Sequence, residues 1–354
     1  MAKKTGPYVG VTGYMHQLEV VKSMGCVPEG SKRRLMVGVL MSSKTLVGLT
    51  NKWPGRYPKK EAVAGIFVDD PRALNLIHYN TVNPDTFSEQ LEAIAEIAGP
   101  HLDGFQLNLV WPDADGINEY RQHHPNHFIV LQIGKHAMEA LENDPRRVAN
   151  RVSEYGTSID AVLVDSSGGV GRPFTEFDER LLRWIRDNCG SWMGIGIAGG
   201  LGPQTLHNLD ALIPHFPELS IDAEAQLRTQ MPEDALSWGV VRPYLEDAFP
   251  LLEGKKLPGL RSYANDGSYG FEEHVKRYGS GDNMLRTERL AQPRALKEGD
   301  VLATGDHVLS SPRVGGNGTV FVHLSGGTDG HWIGLPARIP VALLTKEDGA
   351  PDAL

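Results

Sequence analysis

The chain has 354 residues, 40% of them hydrophobic and 22% charged, with a formal net charge of −9. That composition excludes a disordered polymer, and the length suits one large domain of about 250 residues plus a small one. The acidic excess lies in the first part, because the stretch beyond about residue 254 is near neutral, and this argues against a nucleic-acid-binding surface. Two cysteines, Cys26 and Cys189, make neither a disulfide framework nor a metal site. No apolar run reaches the ~18 residues of a membrane span. The N-terminal Met-Ala-Lys-Lys-Thr-Gly-Pro has no hydrophobic signal core behind it, so a cytoplasmic protein without a membrane partner is expected.

Taken in order, Tyr8–Thr12 reads as a short strand, followed by Gly13 and a helix over Gln17–Met24. Arg34–Met41 is a second apolar strand that opens into a polar loop carrying Lys44, Lys52, Trp53 and Arg56. The third strand is either Ala64–Val68 or Leu74–Asn80. Thr86–Ala98 has apolar residues at helical spacing (Phe87, Leu91, Ile94, Ile97). Gly104–Trp111 and Phe128–Ile133 are the fourth and fifth strands, with a helix over Pro145–Tyr155. Ala161–Val164 is the sixth strand, followed by a helix over Glu176–Asn188. Trp192–Ile197 is the seventh, ending in Ala198-Gly199-Gly200-Leu201-Gly202-Pro203, with a helix from about Gln204 to Leu212. Leu219–Ala223 is the eighth, with a helix over Pro232–Phe249.

Eight strand–helix alternations predict an α/β fold, a (β/α)8 TIM barrel, with a small C-terminal β-rich domain. A doubly wound open sheet is the rival. The barrel is preferred on strand count, and because polar and glycine residues recur after the same strand ends. The expected domains are the barrel over 1–254, an irregular linker or wrapping arm over 255–294, and a small β domain over 295–354. Short β-rich runs at Asp300–Leu302, Thr319–Leu324, His331–Ile333 and Ile339–Leu344 are separated by glycine turns. Tyr263, Tyr269 and Tyr278, each with an apolar ring and a polar tip, predict that residues 258–344 dock on the barrel.

The chemistry points to the strand ends. Asp165 closes the sixth strand beside a glycine loop, Gly168, Gly169 and Gly171, which can bring backbone N–H groups against a ligand. Gly199 and Gly200 suit an anion held by backbone N–H groups and the following helix N-terminus, or else form only a tight turn. Asp222 and Glu224 alternate by two, so both can face the barrel mouth. Glu224 either contacts a ligand or pairs with Arg228. Asp165 and Glu224 together make a pair of carboxyl groups suited to acid–base or glycosidic chemistry. His123, His124 and His127 lie on the far face and read as solvated. His78 and His136 are weak candidates near strand ends. No Walker loop, Rossmann fingerprint, HExxH or Ser-His-Asp order is present, and no cofactor or metal is implied.

With the strands placed, residues 8–250 resemble phosphoribosylanthranilate isomerase, a barrel that performs an Amadori rearrangement. Val164-Asp165 with Gly168-Gly169-Val170-Gly171-Arg172-Pro173-Phe174 resembles the family's Leu-Asp and Gly-Gly-Thr-Gly-Lys-x-Phe segment. Ala198-Gly199-Gly200-Leu201 with Pro203 resembles its phosphate loop. Gln106-Leu107 resembles its Gln-Leu-His, and Val9-Gly10-Val11-Thr12 its first strand, Cys-Gly-Ile-Thr. The resemblance implies a small ribosyl or phosphoribosyl N-linked substrate and Asp165 as the acid. It brings Thr12, Gln106, Asn108 and Arg172 to the ligand, with Asp222 and Arg228 from the eighth-strand loop. The chain departs from the family in four places, one being the second-strand loop, which has no clear Ser-Pro-Arg and offers Lys44 or Arg56 in its stead. Valine stands where the family's base cysteine would be. Asn108 replaces the family's His. Asp222-Ala223-Glu224 replaces a loop of small phosphate-binding residues, and Glu224 would repel phosphate unless Arg228 offsets it. Three readings stay open: an isomerase-like enzyme, a nucleoside N-glycosidase or lyase using Asp165 and Glu224, and a non-catalytic barrel with a binding or structural role. A homo-oligomer is compatible with all three.

Overall fold

The computed structural model describes residues 6–166, 175–229 and 233–255, and beyond them the backbone of six strands. Eight parallel strands close into a barrel in sequence order. They are β1 (Tyr8–Thr12), β2 (Arg34–Ser42), β3 (Ala73–Asn80), β4 (Gly104–Leu107), β5 (Phe128–Gly134), β6 (Ala161–Asp165), β7 (Gly194–Ala198) and β8 (Ser220–Ala223). The α-helices between and after them are α1 (Gln17–Met24), α2 (Ser43–Leu46), α3 (Phe87–Ala98), α4 (Ala114–His123), α5 (Lys135–Glu139), α6 (Pro145–Ser153), α7 (Glu176–Cys189) and α8 (Trp238–Leu252). The strands are apolar almost throughout because both faces are covered, the inner by the barrel core and the outer by helices. Local signals start the helices. Asp144 accepts from the Arg146 backbone N–H with Pro145 in the first turn of α6, and Thr175 and Asp178 form a capping box on α7.

Alternation divides each strand into two faces. Tyr8, Met36, Leu74, Leu76, Phe128, Val130, Ala161 and Leu163 pack together as the barrel interior. The barrel is sealed by pairing of β1 with β8, Gly10 opposite Asp222. At the other end, the buried Arg33 side chain donates to the carbonyls of Pro217, Leu219 and Leu252. One guanidinium thereby ties the entry to β2 to the segment before β8 and to the end of α8.

The structure differs from the sequence expectation in several elements. The third strand is Ala73–Asn80, and Lys60–Gly65 is a 3-10 helix, so Ala64–Val68 adds no strand. β4 ends at Leu107, short of the expected Trp111, which itself adopts the left-handed region at φ 47° and could not belong to an extended run. The helix after β7 shrinks to a 3-10 turn over Leu206–Leu209. Its start is taken up by Thr205, whose hydroxyl accepts from Gly202 N–H and donates to the Gly200 carbonyl. α8 begins at Trp238 rather than near Pro232, because Asp234 sits at φ 46° and Arg228 bridges to Leu236 ahead of it.

The chain divides into two units, Met1–Lys255 and Lys256–Leu354. Most of the stretch read as a linker, with Tyr263, Tyr269 and Tyr278, lies outside the described residues. In the second unit, β9 (Thr287–Ala291), β10 (Val301–Leu302) and β14 (Val341–Leu344) form one antiparallel sheet in the order β10-β14-β9. β11 (Val308–Val314), β12 (Thr319–Leu324) and β13 (His331–Pro336) form another in sequence order. β9 and β11 were not expected as strands. β11 carries Pro312 in its interior, and its pairing with β12 shifts register around that residue. Proline is tolerated there because β11 is an edge strand with irregular pairing.

Gly104 opens β4 at φ +149°, and a Cβ there would lie 2.0 Å from the Phe128 carbonyl oxygen. Gly104→Ala is expected to destabilise the barrel by about 3 kcal/mol or more, since both the dihedral and the β4–β5 contact must give way. Urea denaturation checks this, and an unchanged midpoint would contradict the close packing.

Candidate active site

The polar residues of the barrel mouth follow from the same alternation that builds the core. Along β3 the inward positions run Leu74, Leu76, His78; along β5, Phe128, Val130, Gln132; along β6, Ala161, Leu163, Asp165. In each case two apolar side chains are followed, one layer up, by a polar one. β1 contributes Tyr8, Gly10 and Thr12, and β8 contributes Ser220, Asp222 and then Glu224 beyond the strand. The polar layer sits at the C-terminal ends of the strands, the face on which barrels of this kind carry their chemistry. Gly10 makes room for it, since a Cβ there would lie 2.7 Å from Asp222 Oδ1.

Asp222 is the centre of the layer. Thr12 Oγ1 lies 3.0 and 2.9 Å from its two carboxyl oxygens. Gln106 Nε2 lies 3.2 Å from Asp222 Oδ2, 3.1 Å from Gln132 Oε1 and 3.1 Å from His78 Nδ1. Gln132 Nε2 in turn donates to Asp165 Oδ2 at 3.1 Å. The Asn108 side-chain amide is 3.2 Å from His78 Nε2. A continuous chain of contacts therefore runs from Thr12 through Asp222, Gln106 and Gln132 to Asp165.

Burial pushes the Asp222 carboxyl up to about 7; hydrogen bonds from Gln106 and Thr12 oppose this, and the charges of Glu224 and Asp165 add to it. Burial lowers His78 to about 4, against the pull of Asp165, so its imidazole is neutral at physiological pH. Burial also raises Glu224, while Arg56 and Arg228 pull it down.

A second, ionic layer lies above. Arg56 Nη1 is 2.8 Å from Glu224 Oε1, and its Nε is 2.6 Å from Asp234 Oδ2. Arg228 Nε is 3.0 Å from Asp234 Oδ1, and its Nη2 donates to the Gly55 carbonyl. These contacts fasten the loop after β2 to the loop after β8. Trp53 lies under both Lys52 and Arg56, with the cations 4.8 and 5.3 Å from its ring.

A cavity of about 1150 Å³ opens on this assembly, lined among others by Asp165, Asp222, Glu224, Gln106, Asn108 and Arg56. Gly199 and Gly200 also line it, in the left-handed region at φ 104° and 65°. The helix N-terminus expected to join them in holding an anion is replaced by the turn that Thr205 closes. Thr12 is fully buried beneath Asp222 and reaches a ligand only through it. Arg228, expected at the ligand, is instead packed under the loops with its side chain 1% exposed, and Glu224 forms an ion pair with Arg56. Gly168, Gly169, Gly171 and Arg172 lie outside the described residues.

Val9 is on the outer face of β1, since Tyr8 packs in the core and Thr12 reaches Asp222. It fails as a base by orientation as well as by chemistry. His123 and His124 both pair with Glu92, at 2.9 and 2.8 Å, and His127 bonds the Tyr120 hydroxyl at 2.6 Å. His124 is thus partly covered, and burial lowers His127 to about 4. His136 pairs with Glu139 on the rim. Among the described residues no group of three or more His, Cys, Asp or Glu could hold a metal, and no helix is long and apolar enough to cross a membrane. Sequence reasoning missed Gln132 and Asp234. Gln132 had a signal, as the lone polar side chain inside the apolar run Phe128–Ile133.

No protein-family model matches the chain, and no curated protein matches it. Among solved structures it is similar to the catalytic domain of the hyperthermophilic chitinase from Pyrococcus furiosus, at 11% identity and a TM-score of 0.43, over 72% of this chain and 99% of that one. It is similar to octameric ribulose-1,5-bisphosphate carboxylase/oxygenase from Pyrococcus horikoshii OT3, at 15% identity and 0.46, over 78% and 66%. It is also similar to the carboxyl transferase domain of Rhizobium etli pyruvate carboxylase, at 10% identity and 0.44, over 78% and 54%. These likenesses name no reaction for this chain.

The raised Asp222 pKa makes stability depend on pH. Between about pH 4 and 7 the folded protein keeps a proton that the unfolded chain has released, so stability falls as pH rises through that window. Asp222→Asn removes this loss. Its stability relative to the parent protein is expected to be greater at pH 8 than at pH 4, by up to about 4 kcal/mol. Urea denaturation at the two pH values reads the difference, and a constant difference would show that Asp222 titrates normally.

Proposed function

We propose that the barrel mouth is the active site of an acid–base enzyme acting on a ribosyl N-linked small molecule, with isomerisation of the Amadori type as its reaction. The observation that carries this reading is Asp222. It is held against the first strand by Thr12, shares one cavity with Asp165, and has a pKa of about 7. A group of that pKa is well matched to taking a proton at neutral pH. It offers a base at the end of β1, where the resemblance to phosphoribosylanthranilate isomerase otherwise leaves none.

In this reading Asp165 delivers a proton to the ribosyl ring oxygen. The lone pair of the linked nitrogen forms a C1=N bond as the C1–O bond breaks. Asp222 then removes the proton from C2, whose bonding pair forms C1=C2 and returns charge to nitrogen. The resulting enol becomes the ketone as its hydroxyl proton restores Asp165 and the proton on Asp222 passes to C1. Gln132 steadies Asp165 by its hydrogen bond, and Gln106 and Thr12 steady Asp222.

A second reading, cleavage of the C1–N bond, is favoured by one observation. Glu224, bound to Arg56, occupies the place where a phosphate loop would be expected. A carboxylate accepts hydroxyl groups and disfavours phosphate. Here Asp222 serves as the acid that protonates the nitrogen as the C1–N bond breaks, and water adds to C1 and gives up a proton to Asp165 across the cavity.

The two readings predict opposite pH limbs. Isomerisation needs Asp222 without its proton, so kcat/KM should rise with pH through about 7; cleavage needs it protonated, so kcat/KM should fall through the same value. Phosphorylated and unphosphorylated N-ribosyl compounds, including phosphoribosylanthranilate, are offered to the protein, with ketose and free sugar assayed separately. Asp165→Asn and Asp222→Asn are each expected to lower turnover at least about 100-fold. Full activity in both variants would remove the mouth from the mechanism.

A further inference from the structure

Gln106 is surrounded by more acceptors than it can serve. Its Nε2 carries two hydrogens and lies within 3.2 Å of three acceptors: Asp222 Oδ2, Gln132 Oε1 and His78 Nδ1. Its carbonyl oxygen, Oε1, is buried with no hydrogen-bond partner among the described residues. Turning the amide over would set that oxygen against the Asp222 and Gln132 oxygens, so the orientation is fixed by its surroundings. Facing an N–H donor, His78 Nδ1 accepts, and the neutral ring then carries its hydrogen on Nε2, which calls for the Asn108 amide to turn its oxygen toward Nε2 in place of the Nδ2 that lies 3.2 Å away. The imidazole is 8% exposed and forms part of the cavity lining.

We infer that His78 is a positioning residue: by drawing one Gln106 N–H to itself it rations hydrogen bonding to Asp222 and so sets the proton affinity of that carboxyl. The other groups facing Asp222 are fixed by the fold and are not exchanged for His78. They are Thr12 on β1, Asp165 on β6 and Glu224 beyond β8, with the hydroxyls of Tyr8, Tyr14 and Tyr244 feeling its charge from β1, the segment after it and α8. Removing the acceptor at His78 leaves both Gln106 hydrogens for Gln132 and Asp222. The charged form of Asp222 gains, and its proton is released at lower pH. The inference deepens the proposed role of Asp222 and rests on that reading for its catalytic meaning, but not for its measurement.

The test is carbon-13 NMR titration of the Asp222 carboxyl in the full chain, in the parent protein, His78→Leu and His78→Asn. Leucine removes the acceptor, whereas asparagine can place its side-chain oxygen near the position of Nδ1. The expected result is a midpoint lowered by about one pH unit in His78→Leu and restored toward the parent in His78→Asn. A merely structural role for His78 would not distinguish the two by the acceptor they carry. Equal midpoints in all three proteins, or equal displacement in both variants, would overturn the inference. So would His78→Leu failing to fold while folded His78→Asn shows a displaced midpoint. Activity is read separately: if no N-ribosyl compound turns over, the proposed function fails, while the titration still decides the role of His78.

Discussion

Closure of the sheet is the constraint on which the rest depends. Thr12 and Asp222 are 210 residues apart, yet pairing of β1 with β8 brings a hydroxyl and a carboxyl into bonding distance. The same closure gives every strand one face that sees only other strands. Inside that ring the lower layers are apolar, and the side chains at the next inward positions have no water beneath them. Polar groups placed there must satisfy one another, which is why Asp222, Gln106, Gln132 and His78 form a shared network.

Two carboxyl groups two residues apart on one chain end in different environments. Asp222 lies below the ionic layer, among amides and a hydroxyl, where no cation among the described residues is paired with it. Glu224 lies within that layer, against the Arg56 guanidinium. Strand alternation puts both at the mouth, and the loop after β2 separates their roles by supplying a cation to only one. Proximity of an acid to a cavity is therefore a poor guide to its chemistry. What decides is whether a fixed positive charge stands beside it.

The barrel was legible because its strands are contiguous apolar runs with punctuation after the same ends. Asp165, Asp222 and Glu224 could be placed at the mouth from strand position alone, and Gln106 through the family resemblance. What could not be read was which groups touch. Arg228 is four residues from Glu224, and sequence proximity suggested that pair. The fold instead sends Arg56, 168 residues away, to Glu224 and turns Arg228 inward. Val9 matched a family position by order in the sequence, but the register of β1 places it on the outer face. The short turn after β7 was missed because Thr205, a residue of modest helix propensity, bonds its own loop. In the second unit, β9 depends on β14, far along the chain, and β11, though it pairs with the adjacent β12, is interrupted by Pro312; neither carries a local pattern strong enough to announce a strand.

Layering of the barrel interior also separates inheritance of shape from inheritance of chemistry. The packing that holds the strands together is completed by side chains such as Leu76, Val130 and Leu163, one step below the groups that face the cavity. A lineage can exchange the upper residues and leave the lower ones untouched, or drift through many apolar combinations below while keeping a carboxyl and an amide above. Sequence kinship and catalytic kinship can then decay at different rates. In such a barrel, ancestry is better sought in which inward position of which strand carries a polar atom than in the letters of any loop.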